Sequence, residues 1–144
     1  IDMLNCIDRW IDRLDGVYEP PCSTAEAVDN IAGTLLHLGG DTPRHIAVVS
    51  TLRSGEPARC CSLLVERLKA MGHTACVDGG KDAACAFVFH PCDEILSQER
   101  SRPLLQVCRE TIFVEALKKS SVSSIREACS IMGEKTDILG VILV

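Results

Sequence analysis

His45–Cys61, HIAVVSTLRSGEPARCC, decides the fold. A short β-branched apolar run, His45–Val49, enters a Ser/Thr/Gly loop, Ser50–Glu56, and a helix opens at Pro57. The run is continuously apolar, which predicts a parallel strand covered on both faces. Pro57 suits a first helical position, where its missing N–H would have no intrahelical partner. Strand, small-residue loop and helix N-terminus form the layout of a phosphate cradle, in which backbone N–H groups and the helix dipole attract an anion. Ser54, Gly55 and Glu56, with the flanking Arg53 and Arg59, are the candidate nucleotide- or anion-binding residues. The plainer reading of the two arginines is solvated surface. Cys60 at the helix N-terminus is where a thiol pKa would be lowered, and Cys61 beside it faces the core.

Outward from this stretch, helices and strands alternate. Ser23 or Thr24 caps a helix running to about Leu38, with Glu26 in its first turn and Ala27, Val28, Ile31, Leu35 and Leu36 apolar. The helix from Pro57 to Met71 places Cys61, Leu64, Val65, Leu68 and Met71 on one face, and Gly72 ends it. Thr74–Val77 and Ala86–Phe89 read as the second and third strands, followed by Asp78-Gly79-Gly80 and by His90-Pro91. A helix is expected from about Asp93, broken or restarted at Pro103. Thr111–Glu115 is the fourth strand, a helix from Ser121 or Ser123 turns Ile125, Ala128, Cys129 and Met132 inward, and Ile138–Val144 is the fifth strand. The alternation predicts an α/β domain over residues 23–144, a parallel sheet covered on both faces. Ahead of it, residues 1–22 read as an amphipathic helix and a Pro-containing linker. The helix carries Met3, Leu4, Ile7, Trp10, Ile11 and Leu14 on one side. Trp10, Ile11 and Leu14, with Glu26, are candidate partner-interface residues.

Composition narrows the function. The apolar fraction is 47% with 3% aromatic, so the core is aliphatic, and the net charge of −5 comes with scattered Lys and Arg, which argues against nucleic acid as a partner. No apolar run approaches the roughly 20 residues of a membrane span, and no secretory leader is legible. The sequence opens on Ile1, so it reads as a piece of a longer chain, and membrane attachment would come through an upstream segment or a partner. Nine cysteines contain no C-x-x-C spacing, and several lie inside apolar runs. That pattern fits reduced, buried thiols in a cytoplasmic protein. Asp78 sits after a strand, where α/β folds place ligand groups, and is the candidate metal residue. With no lysine or metal partner legible, the plainer reading of Asp78 is a turn-forming Asp-Gly. His90, with no His or carboxylate constellation legible around it, reads as structural.

The order of elements resembles the cytoplasmic domain of the bacterial tyrosine kinases of capsule and exopolysaccharide synthesis, the BY-kinases, which are P-loop proteins related to the ParA/MinD group. The resemblance runs from about Ser23 to Val144. It is carried by Ala25-Glu26 opening the first helix, "HIAVVS", Gly55-Glu56 in the loop and "RLKAMGHTACVDGG" leading into Asp78. "AFVFHP" and "ETIFVEALKKSSVSSIREACSIMGEKTDILGVILV" follow. It implies a three-layer α/β/α domain with five parallel strands in order 2-3-1-4-5.

The departures from the family fall on its functional positions. Pro57, Ala58 and Arg59 stand where Gly, Lys and Ser/Thr would be, which removes a backbone donor, the phosphate-holding ammonium and the Mg²⁺-holding hydroxyl. Asp78 is kept in the second motif but Gly80 replaces its second Asp, and His90-Pro91 replaces Asp-Thr/Ser in the third. The connection between these two motifs is short. Asp29 and Ala32 replace both arginines of the family's oligomer motif, and Tyr18 is the only tyrosine. Phosphoryl transfer rests on charge neutralisation and metal coordination, and both are depleted. The resemblance therefore implies a non-catalytic docking or regulatory domain with no cofactor. It would act with a protein partner of a polysaccharide export or assembly complex, and self-association is a further expectation. The location would be cytoplasmic, including the cytoplasmic side of the inner membrane. Two alternatives stay open. One is a divergent nucleotide switch or kinase-like ATPase using ATP or ADP with Mg²⁺, with Arg53 or Arg59 substituting for the missing lysine. The other is an anion or small-molecule sensor.

Overall fold

The computed structural model describes residues 22–78, 85–116 and 119–144. Trp10, Ile11 and Leu14 lie outside them, as do the rest of residues 1–21 and residues 79–84 of the connection after Asp78. The elements, in chain order, are α1 (Thr24–Leu38), β1 (Arg44–Val49), α2 (Glu56–Ala70), β2 (Ala75–Val77) and β3 (Phe87–Cys92). They continue with α3 (Gln98–Val107), β4 (Glu110–Glu115), α4 (Val122–Gly133) and β5 (Asp137–Leu143). All strands are parallel, in the order β2-β3-β1-β4-β5, as the resemblance implied. The result is the three-layer α/β arrangement of a P-loop-like domain.

Strand alternation divides the core into two halves. Ile46, Val48, Phe89, Ile112 and Val114 point toward α1 and α2 and pack with Val28, Leu35, Leu64 and Leu68. Ala47, Val49 and Phe113 point the other way and pack with Leu104, Ile125, Ala128 and Met132 from α3 and α4. Fully burying one such aliphatic side chain contributes about 1.5–3 kcal/mol, so the two aliphatic layers stabilise the sheet from both sides without many aromatic rings.

The caps follow the sequence closely. Ser23 accepts from the Glu26 N–H at 3.2 Å, and Ser121 accepts from the Ser124 N–H at 3.1 Å, satisfying orphan donors at the starts of α1 and α4. Gly72, at φ +87°, leaves α2 in the left-handed region that favours glycine, and the His73 N–H closes the helix end on the Leu68 carbonyl.

Four expectations are corrected. The helix after β3 does not begin near Asp93: residues 93–97 form turns and α3 starts at Gln98. Pro103 does not break it, because Pro103 and Glu99, whose carbonyl loses its partner, are both exposed to water. Met71 does not face the core but is 38% exposed. β3 continues through His90-Pro91 to Cys92 instead of stopping at Phe89. A proline inside a sheet needs its missing donor to face no neighbour. The Asp78 N–H bonds the Phe89 carbonyl, so Phe89 and Pro91 turn their backbone groups to the β2 side. There β2 has already ended, at Val77, and Pro91 deprives no strand of a bond.

Candidate functional site

In a parallel α/β sheet, ligands bind outside the carboxyl ends of the strands, where two neighbouring strands send their connections to opposite faces. Here that crevice lies between β1 and β4: β1 leads into α2 on one face, and β4 leads into α4 on the other. The loop Ser50–Gly55 and the N-terminus of α2 border it, as the sequence predicts.

The crevice is filled by the chain itself. Glu115, the last residue of β4, is 1% exposed. Its carboxylate accepts from the Thr51 N–H at 2.8 Å, the Thr51 hydroxyl at 2.8 Å and the Ser120 hydroxyl at 2.5 Å. One carboxylate thus ties together the two loops that leave the crevice in opposite directions. Burial pushes its pKa up, and the donors from Ser120 and Thr51 pull it back.

Three further N–H groups, along the loop and at the start of α2, are also taken. The Gly55 N–H bonds Asp93 Oδ2 at 3.1 Å, the Leu52 N–H bonds Ser50 Oγ at 3.0 Å, and the Glu56 N–H bonds Ser54 Oγ at 3.2 Å. The segment after β3 clasps the loop, with the Ile95 and Glu94 N–H groups on the carbonyls of Ser50 and Leu52. Both candidate arginines are turned to acidic neighbours: Arg59 lies 2.8 Å from Glu56, and Arg53, 83% exposed, 3.9 Å from Glu94. Gly55 is the N-cap of α2 at φ +73°, and Ser54 is exposed. The structure therefore brings Ser54, Gly55, Glu56 and Arg59 together at one helix start, with the Asp93 carboxylate on the Gly55 N–H and the Glu56 carboxylate on Arg59. Cys60 and Cys61 are fully buried, and burial pushes the Cys60 thiol up to about 11, overriding the helix terminus.

A second constellation lies on the β1/β3 surface of the α3/α4 side. His45 Nδ1 is 2.9 Å from His90 Nε2, and His90 Nδ1 is 3.2 Å from Asp78 Oδ2. His90 is 7% exposed, Asp78 is mostly exposed, and burial is the largest influence lowering the His90 pKa, partly offset by Asp78. His90 is therefore not isolated, as the sequence reading has it, but stands between a second histidine and a carboxylate. His45↔Val88 and Ala47↔His90 are cross-strand neighbours on one face, and Asp78 continues β2 beside His90, so strand register alone creates the chain. Asp78 is partnered to an imidazole rather than to other carboxylates. Among the described residues no group of three or more His, Cys, Asp and Glu is arranged to hold a metal ion. Glu26 is exposed in the first turn of α1.

Sequence reading missed Glu115, Asp93 and His45. A legible signal existed for Glu115: a carboxylate directly after the apolar run Ile112–Val114, five residues before Ser120.

Fold and crevice define a doubly wound, parallel α/β domain whose ligand position is occupied from within. A scan of protein-family models, a search of curated proteins and a search of solved structures found no match to the chain. No helix among the described residues is long and apolar enough to cross a membrane.

Proposed function

We propose that this domain is a non-catalytic, P-loop-like docking or regulatory module whose phosphate cradle is held shut by its own carboxylates. One observation carries the reading: the buried Glu115 carboxylate occupies the β1/β4 crevice and takes the Thr51 N–H and hydroxyl at the start of the loop. An incoming polyphosphate would lose those donors and meet a negative charge at contact distance in a poorly solvated site, an unfavourable interaction of several kcal/mol. No lysine stands in the loop to compensate. The setting, a bacterial capsule or exopolysaccharide export assembly with a protein partner, comes from the resemblance in element order and phrasing alone.

Isothermal titration of the purified domain with ATP and ADP, with and without Mg²⁺, tests this. The expected result is no binding heat up to millimolar nucleotide. Binding that tightens with Mg²⁺ would sink the proposal and move the reading to a divergent nucleotide switch.

A further inference from the structure

The described cysteines fall into two groups. Cys60, Cys61, Cys108 and Cys129 are buried in the core, whereas Cys22, Cys76, Cys85 and Cys92 are half-buried and reach the surface. Cys92 turns its thiol to the Asp93 carbonyl at 3.3 Å. Cys76, in β2, and Cys85, just before β3, turn instead to each other: their thiols are hydrogen-bonded, and no disulfide joins them. The backbone holds both in place. β2 and β3 are parallel neighbours, with Cys76 opposite Val88. Thr74 fixes the two residues that follow Cys85, accepting from the Ala86 N–H on its hydroxyl at 2.8 Å and from the Phe87 N–H on its carbonyl at 3.2 Å. On the other side of the pair, the Asp78 N–H bonds the Phe89 carbonyl at 2.8 Å. Each cysteine is thus flanked by hydrogen bonds between the same two stretches of chain.

From this juxtaposition we propose that Cys76 and Cys85 are a reversible dithiol–disulfide pair, oxidised by a low-molecular-weight disulfide such as oxidised glutathione. The pair lies outside the β1/β4 crevice and does not rest on the docking reading. The chemistry is thiol–disulfide exchange. The Cys85 thiolate attacks one sulfur of the small disulfide, whose S–S bond breaks, and one glutathione leaves as a thiolate that takes up a proton. Cys76 then gives its proton to solvent and attacks Cys85 Sγ, and the second glutathione leaves and is protonated. Two protein thiols are oxidised, and one small disulfide is reduced to two thiols. The order follows from the surroundings. Burial first, and the contact with Cys85 next, push the Cys76 thiol up to about 11, which makes it a poor first attacker. As the second attacker it acts on a sulfur already beside it, and proximity offsets its low thiolate content. The four core thiols are closed to the reagent by burial.

The test incubates the full chain with mixtures of oxidised and reduced glutathione, quenches in acid, alkylates the remaining thiols and maps the peptides by mass spectrometry. The expected result is a Cys76–Cys85 bridge in the oxidising mixtures that returns to two alkylated thiols in excess reduced glutathione. Cys76→Ser should trap glutathione on Cys85, whereas Cys85→Ser should leave Cys76 largely unmodified over the same time. The pairing is overturned if wild type keeps a glutathione adduct on Cys85 without a bridge to Cys76, or if either thiol bridges to a different cysteine. It is overturned as well if both thiols stay unmodified in the most oxidising mixture. Equal rates of modification in the two variants would overturn the order of attack.

Discussion

The β1/β4 crevice and the β1/β3 imidazole pair both hold a buried titratable group against its neighbours, and they do so in opposite ways. In the crevice, Glu115 is an acceptor surrounded by donors, each matched within the chain. On the other surface, two rings of the same kind face each other and share one proton. The crevice is chemically closed, since anything entering must replace three hydrogen bonds. The imidazole pair depends on protonation instead, since its ring-to-ring hydrogen bond needs a free acceptor nitrogen on one side. In this fold the position at the strand ends is filled by a carboxylate of the chain itself.

Removing the carboxylate breaks the closed side first. Glu115→Ala strands the Thr51 N–H and leaves a cavity, and we expect a loss of about 3 kcal/mol in urea unfolding. A loss under 1 kcal/mol would mean that water replaces the carboxylate freely and that the crevice is not closed. On the other side, His90→Leu removes both contacts of the chain but keeps a core-compatible volume. Because Asp78 can turn to solvent, the expected loss is smaller, about 1–2 kcal/mol by the same measurement.

Acid separates the two regions by sign. The folded state holds His90 below its ordinary 6.5, so the unfolded chain takes up that proton more readily. The stability His90 contributes is therefore complete above pH 6.5 and is lost as pH falls from there through the folded value. Glu115 is held above its ordinary 4.5, so the folded state keeps a proton that the unfolded chain has released. Its contribution is greatest below pH 4.5 and is lost as pH rises through the folded value. Urea midpoints measured from pH 7.5 to 4 should show the gap between wild type and His90→Gln narrowing with acid. Glu115→Gln should remove a stabilisation that grows toward the acid end. Parallel curves for all three proteins would refute both assignments.

The smallest effect is expected at Gly55. Its φ of +73° favours glycine, so Gly55→Ala should cost about 1 kcal/mol even though nothing lies within 4 Å of the added Cβ. A neutral result would show that the loop relaxes to another conformation without disturbing the Thr51–Glu115 contacts.

Much of the fold was legible because each element announces itself locally. The apolar run Ile46–Val49, the Ser23 and Ser121 caps, and the glycine after α2 gave strands and helices close to those found. The site was less legible. Ser54–Arg59 was recognised as a cradle from its neighbours in sequence, but whether its donors are free depends on Glu115 and Asp93, 64 and 38 residues away from their respective partners. His90 gave no sign of its partners for the same reason: Asp78 and His45 reach it only across strands.

Periodicity, turn residues and capping thus determined the element sequence, the parallel α/β class and the location of a loop at a helix start. Those features are set by interactions within a few residues, so a linear sequence carries them. The strand order required the resemblance as well, because periodicity cannot order strands. Only the tertiary structure decided that the loop is filled, that Pro91 is harmless beyond the end of β2, and that two histidines meet. Each of these depends on register between strands distant in sequence, which side-chain alternation turns into contact or separation with a shift of one residue.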